Sequence, residues 1–396
     1  MSEYRTIREL CSIVVDCPHS TPTWTSEGKI VVRNNNIKNG RIDLSSPSYT
    51  DEEHFLQRIK RAVPQPGDLI ITREAPIGDV GMIPEGVECC LGQRMVLLRA
   101  DSSICDNYYL LYSLQSRYVQ HQISWSEGTG TTVSNLRIPH LEQIKIPYLP
   151  LPKQKAIASV LRSLEEKMSI NRKINDNLYT QARAITNRWI AENKDDYDLL
   201  SLSEVAAINP DTYSPKEEWE YVNYLDTSSI TDGCIADIQR IIPASEKLPS
   251  RARRIIAPND VVFSTVRPNQ RHFGIISEPL PNMLASTGFA VIRSENPLVC
   301  NELIYLCLTE NAFIEKMQQL AEQSTSTFPS IKPSDLGVCE IPCPKDGLSS
   351  NLTETLRAMF ALVAANHREN ASLAELRDSL LPKLMSGELD VSDIQL

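Results

Sequence analysis

Between residues 151 and 189 the apolar side chains step forward by four and three, through Ile157, Leu161, Leu164, Met168, Leu178, Ala182, Ile185 and Trp189. That spacing keeps one face of an α-helix apolar, and such a face must be covered by a second helix. Two asparagines, Asn171 and Asn175, interrupt the stripe at its middle. Shifting the chain by 195 residues recovers the pattern: Leu352, Leu356, Met359, Val363, Leu373, Leu380 and Leu384 stand at the same places, and Asn366 and Asn370 fall where Asn171 and Asn175 were. The stripes predict two long helices that pair antiparallel as a coiled coil. The four asparagines would fix its register, with Asn171 approaching Asn370 and Asn175 approaching Asn366, because a slipped pairing leaves a buried amide unsatisfied.

The repeat extends upstream of both helices. "TTVSNLRIPHLEQIKIPYL" (131–149) covers "STFPSIKPSDLGVCEIPCP" (326–344), and "QPGDLIITREAPIG" (65–78) matches "APNDVVFSTVRPNQ" (257–270). Each copy opens with short β-rich runs, "KIVVRN" and "GDLIIT" in the first and "DVVFST" and "FGIIS" in the second, bounded by Gly, Pro and Asn. Helical patterns follow ("DNYYLLYSLQSRYVQHQI", "NELIYLCLTENAFIEKMQQL"), then a Thr/Ser-rich turn ("GTGTT", "STST") and a last strand ending at Ile-Pro. Strands followed by helices, without strict alternation, predict an α+β fold. The chain is thus a duplicated unit, each copy a mixed domain followed by one long helix.

Composition removes several classes of function. No run of about 18 uncharged apolar residues is present and the N-terminal "MSEYRTIREL" has no signal-peptide core, so a cytoplasmic protein without a membrane span is expected. The ten cysteines are scattered, form no C-x-x-C pairs and read as reduced, mostly buried thiols; Cys339 and Cys343 alone are weak evidence for zinc. Phosphate loops, H-E-x-x-H and G-x-S-x-G are absent, as is an amino-methyltransferase signature, so no catalytic residue and no metal site are assigned. Glu165-Glu166-Lys167 reads as a solvated run on the outer face of the coil, and His19 beside Asp16 as a turn with a structural hydrogen bond. A net charge of −10 speaks against coating nucleic acid with the whole surface, yet leaves room for local basic faces.

Two such faces stand out. The first copy gathers Lys29, Arg33, Asn34, Asn35, Asn36, Lys38 and Arg41, with Arg73, Gln93 and Arg94 further on; the second gathers Arg251, Arg253, Arg254, Arg267, Asn269, Gln270 and Arg271. These are the side chains that read DNA: Arg bridges guanine O6 and N7, Asn and Gln bridge adenine, and the remaining cations hold phosphates. The same residues also cap strands and solvate turns.

The helix start "IPYLPLPKQKAIASVL", the "DCPHSTP" near the N-terminus, the "GTGTT" turn and the terminal "LLPKLMSGEL" together resemble the DNA-specificity subunits of Type I restriction-modification systems, over essentially the whole chain. The resemblance implies target-recognition domains at 1–147 and 193–342, with spacer helices at 148–192 and 343–390, the latter with a C-terminal tail. It implies a non-catalytic subunit that reads a bipartite, gapped double-stranded DNA target and docks two methyltransferase subunits, with motor-nuclease subunits able to join. S-adenosylmethionine, and ATP with Mg where the motor joins, would sit on those partners, and no cofactor on this chain. The second helix start, "PKDGLSSNLTETLRAMF", lacks the Pro-x-x-x-Gln-Lys element of Pro150, Gln154 and Lys155, so docking there is expected to differ. The alternative is a protein-binding scaffold with two domains on a coiled-coil spacer.

Overall fold

A computed structural model describes residues 3–38, 40–125, 135–214, 216–324, 328–345, 349–389 and 391. The "GTGTT" turn and most of "STST" lie outside the described residues. Two compact units divide the chain: Met1–Ser169 with Asn370–Leu396, and Ile170–Glu369. Each therefore contains one mixed domain and half of each long helix.

The long helices run Leu151–Glu192 and Ser349–Ser386. In the second unit their halves pair antiparallel. Asn366 Nδ2 donates to Asn175 Oδ1 at 2.7 Å, Asn175 Nδ2 reaches the Val363 carbonyl at 3.4 Å, and Asn171 Nδ2 donates to Glu369 Oε2 at 2.7 Å. The Asn175–Asn366 pairing is the one predicted from the seam. In the first unit Ile157, Ala158 and Leu161 pack with Leu384 and Met385 against the domain core.

Two positions on the first helix differ from the expected stripe. Ile185 is exposed, and the buried line passes through Thr186 instead. Glu165 is buried rather than solvated, because it stands four residues after Leu161 and three before Met168, on the seam itself. There the Tyr112 hydroxyl donates to its Oε2 at 3.2 Å and Arg377 pairs with its Oε1 at 3.6 Å, which supplies the partners a buried carboxylate requires.

The two domains share one α+β plan. In the first, Cys11–Asp16, Met95–Ala100, Leu69–Thr72 and Val80–Met82 form the sheet against which the helices Asn107–Gln115 and Arg117–Ser124 pack. In the second, Ala206–Ile208, Phe289–Ser294, Asp260–Ser264 and Phe273–Ile276 lie in the same order beside Asn301–Leu308 and Asn311–Glu322. Each predicted helical run is thus two helices. In the first domain the break is made by Ser116, whose hydroxyl accepts from Val119 N and caps the second helix. A small second sheet is built on a parallel pair in each domain: Lys29–Val32 with Cys89–Leu91, and Val222–Leu225 with Met283–Ser286.

One buried ion pair anchors both frames. Arg99 grips Asp68 through Nε and Nη2 at 2.8 and 2.7 Å, and Arg293 grips Asp260 the same way at 2.8 and 2.8 Å. In each case the aspartate also accepts a backbone N–H from three residues earlier, Gln65 or Ala257. The strand that follows is thereby pinned at its start.

Candidate nucleic-acid interface

In the first domain the parallel strand Lys29–Val32 runs into a single turn of 3-10 helix, Asn34–Asn36. Asn36 makes that turn: its Oδ1 accepts from Arg33 N at 2.8 Å and its Nδ2 donates to the Asp43 carbonyl at 2.9 Å, with the side chain buried. The turn lifts its neighbours to the rim of a 720 Å³ cleft lined by Arg33, Asn34, Asn35, Lys38, Gln93 and Arg94, together with Trp24. Asn34 Nδ2 donates to the Glu74 carbonyl at 2.7 Å, which ties the turn to the opposite wall. Arg33 lies over the half-exposed Trp24 ring, its Cζ 5.0 Å from the centroid. A guanidinium held on an aromatic face keeps its edge donors for a ligand.

The remaining first-domain candidates lie away from the cleft. Lys29 is held between Glu88 at 2.5 Å and Glu52 at 3.6 Å, and the bond to Glu88 raises its pKa. Arg73 turns inward, donating to the Leu136 carbonyl at 2.8 Å and to Asn135 Oδ1 at 3.2 Å. Arg41 donates to the Glu165 carbonyl at 2.9 Å, joining domain to helix. Asp16 pairs with His19 at 3.2 Å and also with Arg61, so His19 belongs to an exposed ion cluster.

The second domain displays its cations elsewhere. After the strand Asp260–Ser264 the chain makes a turn of 3-10 helix, Pro268–Gln270, between Arg267 and Arg271. The turn rests on the helix Asn311–Glu322, whose Gln318 Oε1 accepts from Asn269 N at 3.3 Å. Asn269 and Gln270 are exposed. Arg267 lies 4.9 Å from the exposed Phe328 ring, and Arg271 donates to Asp232 and Asn311. Arg251, Arg253 and Arg254 belong to the other sheet, on and just before the strand Ala252–Ile255. Arg251 is exposed and joins the base of the turn through Thr287 and Gly288: Thr287 N donates to the Arg251 carbonyl, and Thr265 N to that of Gly288. Arg253 sits at a bulge and Arg254 is half-buried, its Nη1 3.4 Å from Thr212 Oγ1 and its pKa lowered by burial.

Trp24, Glu74, Asp232 and Phe328 are features that residue-type reasoning passed over; a lone tryptophan in the polar run "TPTWTSEGK" is the signal that points to the first. Gln154 has a role different from docking. It is fully buried, donates to the Ile104 and Leu149 carbonyls at 2.9 and 2.8 Å and accepts from Asp106 N at 2.9 Å, so it locks the helix start to the domain. Among the described residues no His, Cys, Asp and Glu group could hold a metal ion, and Cys339 and Cys343 are buried free thiols. All ten cysteines are free, and all but Cys234 and Cys307 are buried. No helix is long and apolar enough to cross a membrane among the described residues.

Residues 2–180 match the family model of the Type I restriction modification DNA specificity domain. The chain is 20% identical to the MjaX type I restriction enzyme specificity subunit of Methanocaldococcus jannaschii, over 98% of this chain and 94% of that one. It is 21% identical to the MjaIX specificity subunit of the same organism, over 83% and 79%. Among solved structures, the Type I restriction-modification S subunit from M. genitalium superposes with a TM-score of 0.55 at 19% identity, over 97% of this chain and 96% of that one, and shows the same fold. With its duplicated frame, the chain is thus similar over nearly its whole length to proteins named as type I restriction enzyme specificity subunits, and its first half matches their DNA specificity domain.

Proposed function

We propose that this chain is the non-catalytic DNA-specificity subunit of a Type I restriction-modification system and reads a bipartite target, each domain contacting one specified block of double-stranded DNA, with an unspecified gap between the blocks. The observation that carries the reading is that one frame is built twice while the donors hang from different loops: Arg33 to Lys38 and Gln93-Arg94 in the first copy, Arg267 to Arg271 with Arg251 in the second. Identical frames with unlike readers suit two different half-sites. The paired helices serve as spacer and as the docking surface for two methyltransferase subunits, which carry S-adenosylmethionine and modify adenine. Motor-nuclease subunits, with ATP and Mg, join that complex.

Co-expression with a cognate methyltransferase subunit, followed by genome-wide mapping of methyladenine, tests this. Two specified blocks at a fixed spacing are expected; a continuous motif, or none, contradicts the proposal. A heptad inserted at facing places in both helices, after Leu164 and after Leu376 beside the Glu165–Arg377 pair, preserves the seam and adds roughly 10 Å. The gap should lengthen by one to three base pairs, at roughly 3.4 Å per pair, with both blocks unchanged. An unchanged gap in an active complex would remove the helices as the ruler.

A further inference from the structure

Backbone strain marks a small set of residues. Among the described non-glycine residues with positive φ, Asn209, Asp232, Asn259 and Asn282 are of types that tolerate the left-handed region; the others are Ala75, Arg94, Arg267 and Arg271, at 44°, 65°, 48° and 58°. Ala75 is the repeat counterpart of Arg267. So the unusual left-handed residues are arginines of the candidate interfaces, plus one counterpart. Strain of this kind persists where the surroundings impose it, and it collects at functional positions.

Arg94 and Arg271 share a second property. A carboxylate lies against Nε of each: Glu74 Oε2 at 3.1 Å from Arg94, and Asp232 Oδ1 at 2.6 Å from Arg271. An amide completes each arrangement. Asn135 Nδ2 donates to the other oxygen of Glu74 at 2.6 Å, and Arg271 Nη1 donates to Asn311 Oδ1 at 3.1 Å. The carbonyl of each arginine is also fixed, accepting from Arg73 N, next to Glu74, at 2.8 Å, or from Asp232 N at 2.9 Å. The two assemblies arise on loops that are not repeat counterparts. A carboxylate on Nε orients the guanidinium plane while leaving Nη hydrogens for a planar acceptor pair, which a guanine supplies through O6 and N7. A phosphate-binding cation needs neither the strained backbone nor the buttress, since charge alone serves it.

We infer that Arg94 and Arg271 each read a guanine in the major groove, one per half-site, and that Glu74 and Asp232 are their positioning residues. This rests on the two-reader proposal above and adds the base and the residues that read it. The test uses the complex with the methyltransferase subunit, the methylated motif and competition binding to cognate duplexes and to duplexes changed at one G·C pair. R94A is expected to lose roughly 10- to 100-fold of discrimination at one guanine of one block, with the other block unchanged; R271A does the same in the other block. E74Q and D232N reduce discrimination at those same positions by a smaller factor, while the salt dependence of binding is retained because the cation remains. R94K and R271K restore affinity but not discrimination, since an ammonium cannot form the paired bonds. Their melting temperatures report folding, and should R94A fail to fold, R94K decides. An intact motif in R94K, or a uniform loss across all duplexes in R94A that lysine repairs, identifies a phosphate contact and overturns the inference. A wild-type complex with no two-block motif instead overturns the two-reader proposal itself.

Discussion

The two domains differ most where their frames agree least in secondary structure. Between the parallel strand and the strand that carries the buried aspartate, the first domain places a helix, Glu52–Arg58, and the second a strand, Ala252–Ile255. Directly after the parallel strand, the first domain has Arg33 and three asparagines where the second has Asp226 and Thr227 to Ser229. At the next turn the contrast reverses, with Ala75-Pro76 in the first and Arg267-Pro268 in the second. Cations absent from one loop reappear on another, while Asp68–Arg99 and Asp260–Arg293 make the same paired bonds through Nε and Nη2. Holding the frame and displaying exposed cations are therefore assigned to different residues in this fold.

That separation can be broken from its strongest side first. Asp68→Ala or Asp260→Ala removes the partner of a gripped guanidinium; because each arginine is about one-quarter exposed and can rehydrate, the cost is about 3 kcal/mol rather than the upper end for fully buried pairs. Denaturant unfolding should show a similar loss for both variants, and a difference beyond about 1.5 kcal/mol would mean the two frames are not equivalent. Gln154→Ala is expected to cost about 2 kcal/mol by orphaning two carbonyls and an amide. An unfolding midpoint left unchanged by Gln154→Ala would contradict that locking role.

Smaller effects sharpen the readers. Arg33→Ala should weaken DNA binding by about 1 kcal/mol, whereas Asp226→Ala, at the equivalent place, should leave affinity within about 0.3 kcal/mol. Titrations at matched salt would expose a reading role for the second loop if Asp226→Ala changed the preferred sequence. The smallest effect is in the helices. His367, where the first helix has Arg172, is half-buried and its pKa is lowered by that burial. With the folded pKa below the unfolded value near 6.5, the unfolded chain binds more protons, so stability falls as pH drops below about 6.5. Melting at pH 5.5 and 7.5 should show a gap that narrows in His367→Gln; an identical gap would assign the pH response to other groups.

The sequence carried the duplication, the helices and their seam because spacing alone encodes them. Asn175 and Asn366 meet as the stripe requires, since a mid-seam amide has few other partners. The stripe misplaced Ile185 and Glu165, because hydropathy assigns a threonine outside the apolar set and a glutamate to solvent, while the helix only follows angle. Loop residues were harder. Lys29, Asn36 and Arg73 have the composition of DNA contacts, yet their donors are occupied by Glu88, Asp43 and Leu136, partners that no spacing in the sequence announces. Glu74 and Asp232 were invisible for the complementary reason: an acid near a basic cluster reads as a negative feature until its geometry shows it holding an arginine.

The division of the chain into units bears on synthesis. Ile170–Glu369 is one continuous stretch, whereas the first unit needs Asn370–Leu396 to be complete. Leu384, Met385 and Val391 are buried in a core that also holds Ile7, Leu10 and Tyr112, and Ser113 Oγ lies 3.4 Å from Met385 Sδ. The domain that leaves the ribosome first is thus finished last, after its sibling has every residue it requires. A stop codon between Asn370 and Leu384 would spare the nearer domain in sequence and open the core of the farther one, and until Leu384 and Met385 are made that core is the part of the nascent chain most in need of a chaperone.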